Sequence, residues 1–325
     1  MASYHVPVLL REVLAYLGPE KGGLFFDGTL GGGSHAEAIL SASGESRLIA
    51  VDRDGEAIAV ASRRLERFGT RVQLVHGNYA DAAESVREPL AGALLDLGIS
   101  SHQIDEGERG FSFRSGTPLD MRMDRGSRSA SYTTGSGGNP VVDLRSPIQR
   151  TAAQLLNELG QAELADIFYE YGEERRSRRL AAEVVRTRGH APLQTSDDLV
   201  DVMQRALGKR LDVQDKARIF QALRMAVNDE MDALERALPV LRERLAGTGV
   251  LVVLAYHSLE DRRVKTAFRE WSQACICPPG LPVCQCRGRA LGETLTRKAV
   301  QASAEEVAGN PRARSVRLRA WRKAA

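Results

Sequence analysis

Over the first hundred residues, apolar and polar positions change period in blocks, which predicts strands and helices in turn. Apolar runs of strand length occur at Leu24–Phe26, Leu48–Val51, Val72–Val75 and Ala93–Leu97. Between them lie stretches of helical period, one from His35 to Ser41 and an amphipathic one from Asp54 to Phe68, closed by Gly69. Strands separated by helices imply crossover connections and hence a parallel, doubly wound α/β sheet. The pattern then breaks. Residues 104–126 are Gly- and Arg-rich and lack a period, and 126–139 (GSRSASYTTGSGGN) read as a surface loop. From Thr151 to about Leu207 the period is helical, with Thr195-Ser196-Asp197-Asp198 placing capping oxygens ahead of an apolar run. A long helix is expected from Ala217 to Leu245, then Gly247-Thr248-Gly249 and a buried strand from Val250. The predicted organisation is one α/β domain, 1–105 plus 214–325, interrupted by a mostly helical insertion at 106–213.

Composition changes this picture little. The chain has 325 residues, 43% of them hydrophobic and 27% charged, which excludes global disorder. A net charge of +3 permits a polyanionic partner without requiring one. Charge is nevertheless uneven, since Arg312, Arg314, Arg317, Arg319, Arg322 and Lys323 follow Asn310 with no acidic residue among them. The N-terminal residues do not form a secretory signal, and no apolar stretch approaches the ~20 residues that span a bilayer, so a cytoplasmic enzyme without a membrane partner is expected. All four cysteines fall between Cys275 and Cys286, too close together to staple the whole chain. Their Cys-x-Cys spacings are tighter than usual for zinc and prolines lie between them. The expectation is therefore no metal, with Cys275, Cys277, Cys284 and Cys286 as a secondary zinc candidate.

The chemistry begins after the first strand, at Asp27-Gly28-Thr29-Leu30-Gly31-Gly32-Gly33-Ser34-His35. Glycines there let backbone approach a ligand, and the helix N-terminus offers N–H groups. Asp52 ends the second strand, where a carboxylate accepts hydrogen bonds from ribose hydroxyls in such folds. NAD and S-adenosylmethionine both carry that ribose. Tyr79, after the third strand, is a candidate wall beside an adenine. Asp96 ends the fourth strand at the carboxyl edge of the sheet, where open α/β sheets bind ligands.

The motifs go further than a generic cofactor cradle. Asp27-Gly-Thr-Leu-Gly-Gly-Gly33 with His35, Asp96-Leu-Gly-Ile-Ser-Ser101 with Gln103, Glu108-Arg-Gly-Phe-Ser-Phe-Arg114, Pro118-Leu-Asp-Met-Arg-Met-Asp124, His257-Ser-Leu-Glu-Asp-Arg262 and Asn310-Pro-Arg-Ala-Arg-Ser315 together span nearly the whole chain. In these strings the sequence resembles the RsmH (MraW) family of bacterial methyltransferases. The resemblance implies a Rossmann-like class I methyltransferase sheet with an inserted helical substrate-recognition domain. It implies methylation of the N4 amine of a cytidine in the decoding region of 16S rRNA, within the small ribosomal subunit, with S-adenosylmethionine as methyl donor. It implies cofactor contacts at Gly33, Ser34, His35, Asp52, Tyr79, Asp96 and Gln103, the last of which spacing alone does not single out. The chain differs from the family pattern at Ser34, where a further glycine is usual, at His102, where proline is usual, and over Gln214–Arg218. A monomer and a homodimer are both compatible with the sequence.

Methyl transfer to an amine is an in-line displacement, so alignment is the main task. Candidate groups to receive the amine proton are Asp96, the Ser100-Ser101 turn and His257, with the Asp96–Ser101 loop ranked first. Phe111 and Phe113, amid Arg109 and Arg114, are candidates either for base stacking or for anchoring their loop in a core. Arg175, Arg176, Arg178, Arg179 and the C-terminal arginines are candidate phosphate contacts. A nicotinamide dehydrogenase accounts for the glycine loop and Asp52 alone, and a non-catalytic RNA-binding module accounts for the arginines alone.

Overall fold

The computed structural model describes residues 7–99, 103, 106–125, 141–144, 149–208, 211–277, 283 and 285–325. The expected loop at 126–139 lies outside them. Two compact units are present, one comprising Met1–Gly98, Arg128–Ser146 and Asp232–Ala325, the other Ile99–Ser127 and Pro147–Met231.

The first unit is a single eight-stranded sheet with helices. Its elements are α1 (Leu10–Leu17), β1 (Gly23–Asp27), α2 (Ser34–Ala42), β2 (Ser46–Asp52), α3 (Gly55–Leu65), β3 (Val72–Gly77), α4 (Tyr79–Ser85), β4 (Leu90–Asp96) and β5 (Val141–Leu144). After the second unit come β6 (Leu245–Ala255), α11 (Ser258–Ser272), β7 (Gly292–Thr294), α12 (Ala304–Gly309) and β8 (Arg317–Lys323). The strand order is β5-β3-β2-β1-β4-β6-β8-β7. Pairing is parallel from β5 through β6 and antiparallel at β8 and β7. The apolar runs form strands because both of their faces are covered: Phe25, Leu48, Leu74, Leu94 and Val252 join one core with Val13, Ile39, Ile58 and Leu65 of the helices, and Phe26, Val51, Val75, Leu95 and Val253 on the opposite face are buried too. After β3 the chain steps back across β1 to β4, so the order reverses at β1. In such sheets the crevice at the carboxyl ends beside that reversal is where ligands bind.

The second unit is helical: α5 (Ala152–Glu158), α6 (Gln161–Glu170), α7 (Ser177–Arg188), α8 (Ser196–Leu207) and α9 (Val213–Val227). Leu155, Leu164, Phe168, Leu180, Val184, Val202 and Ile219 form its core. The start of α8 follows the sequence expectation. Thr195 Oγ1 accepts the Asp198 N–H at 3.4 Å, and Asp198 accepts the Thr195 N–H at 2.8 Å. The helix α10 (Glu230–Arg244) follows α9.

The fold departs from the sequence expectation in three places. The helical unit does not stop at 213: the apolar face of α9, through Ile219, Phe220, Leu223 and Val227, belongs to the helical core, so the boundary falls near 231. Within the expected insertion, Val141–Leu144 instead pairs with β3 and returns to the sheet. The single helix expected from Ala217 to Leu245 is two helices, because Asp229 turns left-handed at φ 48°. Asn228 pins that break, its amide binding the Met121 and Arg224 carbonyls at 2.8 Å and the Met123 N–H at 2.9 Å. Among the described residues, no helix is long and apolar enough to cross a membrane.

Candidate functional site

Three carboxylates terminate the three strands around the order reversal: Asp27 on β1, Asp52 on β2 and Asp96 on β4. Each ends an apolar run, so each is carried by a buried strand to its mouth.

Asp52 organises the glycine loop. Its Oδ2 accepts the Gly31 N–H at 2.7 Å and its Oδ1 accepts the Asp54 N–H at 2.8 Å. Asp54 in turn caps α3. The loop needs its glycines at two positions in particular. A Cβ on Gly28 would lie 2.5 Å from Leu95 Cδ2 and 2.9 Å from Tyr79 Cβ, and Gly33 has φ 80° where α2 begins. The 2.9 Å contact also places half-buried Tyr79 beside the loop. Ser34 is tied down by a hydrogen bond from Arg64. His35 is buried, its Nε2 3.1 Å from the Val8 carbonyl and its Nδ1 3.7 Å from Asp96 Oδ2. Burial lowers its pKa against the pull of Asp27.

Asp96 is held from both sides. Its backbone N–H donates to Thr29 Oγ1 at 2.6 Å, and its Oδ1 accepts the Tyr256 hydroxyl at 2.8 Å. Burial pushes its carboxyl up to about 7, despite the Tyr256 hydrogen bond and with Glu260 adding to the rise. Burial also raises Asp27 and Asp52 to about 6. Asp27 Oδ1 accepts the Thr29 N–H at 3.0 Å, while its Oδ2 is buried without a hydrogen-bond partner among the described residues.

Clustered, desolvated carboxylates with an orphaned oxygen suit a ligand that brings positive charge and hydroxyl donors. S-adenosylmethionine fits, through its sulfonium and ammonium groups and its ribose diol. A dinucleotide fits poorly, because its pyrophosphate would meet three carboxylates.

His257 occupies the N-cap of α11, its Nε2 2.8 Å from Oε1 of buried Glu260, whose Oε2 accepts the Tyr256 N–H at 3.0 Å. Ser100, Ser101, His102 and Cys284 lie outside the described residues. Gln103 is buried in the helical unit.

Sequence reasoning passed over Tyr256, Thr29 and Glu260. Tyr256 stood next to a singled-out histidine, but its approach to Asp96 depends on β4 pairing with β6, which no local pattern encodes.

In the helical unit, Ile99, Phe111, Phe113, Phe220, Gln221 and Arg224 line a pocket of about 170 Å³. Phe113 meets Phe220 edge-on at 5.8 Å, so the two loop phenylalanines both anchor their loop and remain half-exposed to the pocket. Arg109 is buried and donates to the Met123 carbonyl, which makes it a fixture of this loop. Of the first arginine cluster, Arg176 donates to the Leu207 carbonyl while Arg175, Arg178 and Arg179 are exposed. The C-terminal arginines divide likewise. Arg319 bonds Asp261 through two nitrogens and Arg317 through one, and β8 lies inside the sheet between β6 and β7.

Similarity to known proteins runs the full length of the chain. A protein from Gemmatimonas aurantiaca named ribosomal RNA small subunit methyltransferase H is 48% identical, over 99% of this chain and 96% of its own. Its namesake from Heliobacterium mobile is 44% identical, over 99% and 100%. A solved structure of an rRNA methylase from Streptococcus thermophilus aligns with 99% of each chain at 10% identity and a TM-score of 0.43. The profile of the MraW methylase family matches residues 2–134 and 141–324, and the chain belongs to that family.

Proposed function

We propose that this methyltransferase transfers a methyl group from S-adenosylmethionine to the N4 amine of a cytidine in 16S rRNA, within the small ribosomal subunit. The observation that carries the reading is the near-full-length identity of 44–48% to proteins named for small-subunit rRNA methylation, together with a carboxylate-lined crevice suited to a cationic cofactor. The cofactor supplies an electrophilic methyl group on sulfur.

The residues divide the work. Gly33, Ser34 and His35 present the start of α2 to the cofactor, and Asp52 accepts hydrogen bonds from its ribose while holding the Gly31 N–H. Tyr79 walls the adenine, Asp96 faces the cofactor's cationic end, and Gln103 is the further cofactor contact that the family pattern implies. Cytosine N4 is a weak nucleophile because its lone pair is delocalised into the ring. An acceptor beside the amine favours the pyramidal form and takes the proton as the new bond forms. Asp96 meets that need at neutral pH, since an effective base has a pKa close to the working pH. Ser100, Ser101 and His257 are the further proton-handling candidates. The target base leaves its stack at a cost of a few kcal/mol. The pocket of Phe111, Phe113 and Phe220, with the Gln221 amide, offers a surface on which an extruded base stacks, worth about 1–3 kcal/mol. Exposed Arg175, Arg178 and Arg179 supply phosphate contacts.

The test is methylation of small subunits isolated from a strain lacking the modification, with the modified nucleotide mapped by mass spectrometry. A single new N4-methylated cytidine in the decoding region is expected. Absence of N4 transfer on both free 16S rRNA and assembled subunits would overturn the assignment.

A further inference from the structure

Between α11 and β7 the chain makes a loop that apolar burial does not hold. Among its described residues from 273 to 290, none is buried. Yet the loop folds back on itself and brings Cys275, Cys277 and Cys286 together, with sulfur atoms all within 4.8 Å of one another. Cys275 and Cys286 Sγ are 3.8 Å apart. Tetrahedral thiolate ligation of zinc, at Zn–S of about 2.3 Å, places sulfurs ~3.8 Å from each other. The backbone is arranged for thiolates as well. The Ile276 N–H donates to Cys286 Sγ at 3.3 Å, and the Gln285 N–H donates to Cys277 Sγ at 3.4 Å. The middle residue of each Cys-x-Cys arm thus donates to a sulfur of the other arm, and such outer hydrogen bonds orient metal ligands and disperse their charge. The root of the loop is fixed independently. Arg287 donates to the Glu270 and Gln273 carbonyls at the end of α11, and the Leu291 N–H donates to the Trp271 carbonyl at 2.8 Å.

We propose that Cys275, Cys277 and Cys286 are thiolate ligands of a structural Zn²⁺ that staples this loop. Three thiolates converge within a loop that has no buried residue among its described positions, so the metal's role is to fold the loop. Sulfur ligands in this geometry select zinc or an iron–sulfur cluster. Two short arms closing on one centre suit a single ion.

The experiment uses the full chain, purified without chelator and analysed for metals by mass spectrometry. About one zinc per chain is expected, falling to background in Cys275→Ser/Cys286→Ser and in Cys277→Ser while circular dichroism stays unchanged. Cobalt added to the stripped wild-type chain should give the intense visible absorption of tetrahedral thiolate ligation. This second readout holds even where a serine variant fails to fold. No stoichiometric metal in the wild-type chain together with no such absorption on cobalt addition would overturn the proposal. So would full zinc occupancy in the double variant, or iron in place of zinc.

Discussion

Asp96 combines two properties that strong burial sets against each other: it is held as a hydrogen-bond acceptor by Tyr256, and it gives up its proton only near neutrality. Its pKa in the folded chain, about 7, lies above the unfolded value of 3.8. Its contribution to stability is therefore complete below about pH 4 and is lost as pH rises through about 7. A cationic ligand acts in the opposite direction by favouring the ionised form. S-adenosylmethionine affinity is thus expected to tighten several-fold as pH rises through about 6 to 7, with Asp27 and Asp52 contributing near 6. Calorimetric titration across that range checks this, and Asp96→Asn should weaken binding at the upper end and flatten the slope. A flat wild-type profile would remove the carboxylate's electrostatic role. At this scale the strand-end positions of Asp52 and Asp96 were legible in the sequence, because each ends an apolar run and a strand end is a place that periodicity can locate. Tyr256 and Thr29 were not legible. Both act on Asp96 across a strand pairing, and the Tyr256 contact joins residues 160 apart in sequence.

Among the elements, the break between α9 and α10 shows how a polar side chain can override a continuous helical period. Asn228 is fully buried and satisfies the backbone at residues 121, 123 and 224 at once. Asn228→Ala leaves these groups desolvated without partners, at about 1–3 kcal/mol for each. A loss of about 3 kcal/mol is therefore expected in denaturant unfolding, and a change below 1 kcal/mol would show that the pin is dispensable. The apolar spacing on either side of Asn228 suits one helix as well as two, so the sequence alone favoured the longer one. For β5 the difficulty was length: Val141–Leu144 has four residues, two of them exposed, and produces no period. For β8 the run of basic residues gave no sign of a place inside the sheet, which comes from antiparallel pairing with β6 and β7, while Asp261 pairs with Arg317 and Arg319. A cluster that looked unbalanced along the chain is balanced in space.

On the scale of the whole molecule, two units with separate cores arise from a chain that enters the second and returns to the first. Periodicity located the helical block correctly but not its limits, since a helix declares its apolar face and not which core that face joins. The parallel pairing of β4 with β6 has a kinetic consequence. Asp96 and Leu245 are about 150 residues apart, and closing so long a loop carries an entropy that grows with its logarithm. Ile99 and Arg224 line one pocket, so a helical unit that folds first holds its two ends together. The remaining closure spans only some two dozen residues, and at ~0.6 kcal/mol per doubling this removes about 2 kcal/mol from the barrier. Asn228→Ala should therefore slow refolding of the sheet, followed by Trp321 fluorescence in stopped flow, and not merely speed its unfolding. The inserted helices would then serve as an internal folding template for strands that they interrupt, and evolution could shorten the insertion more safely than it could loosen it.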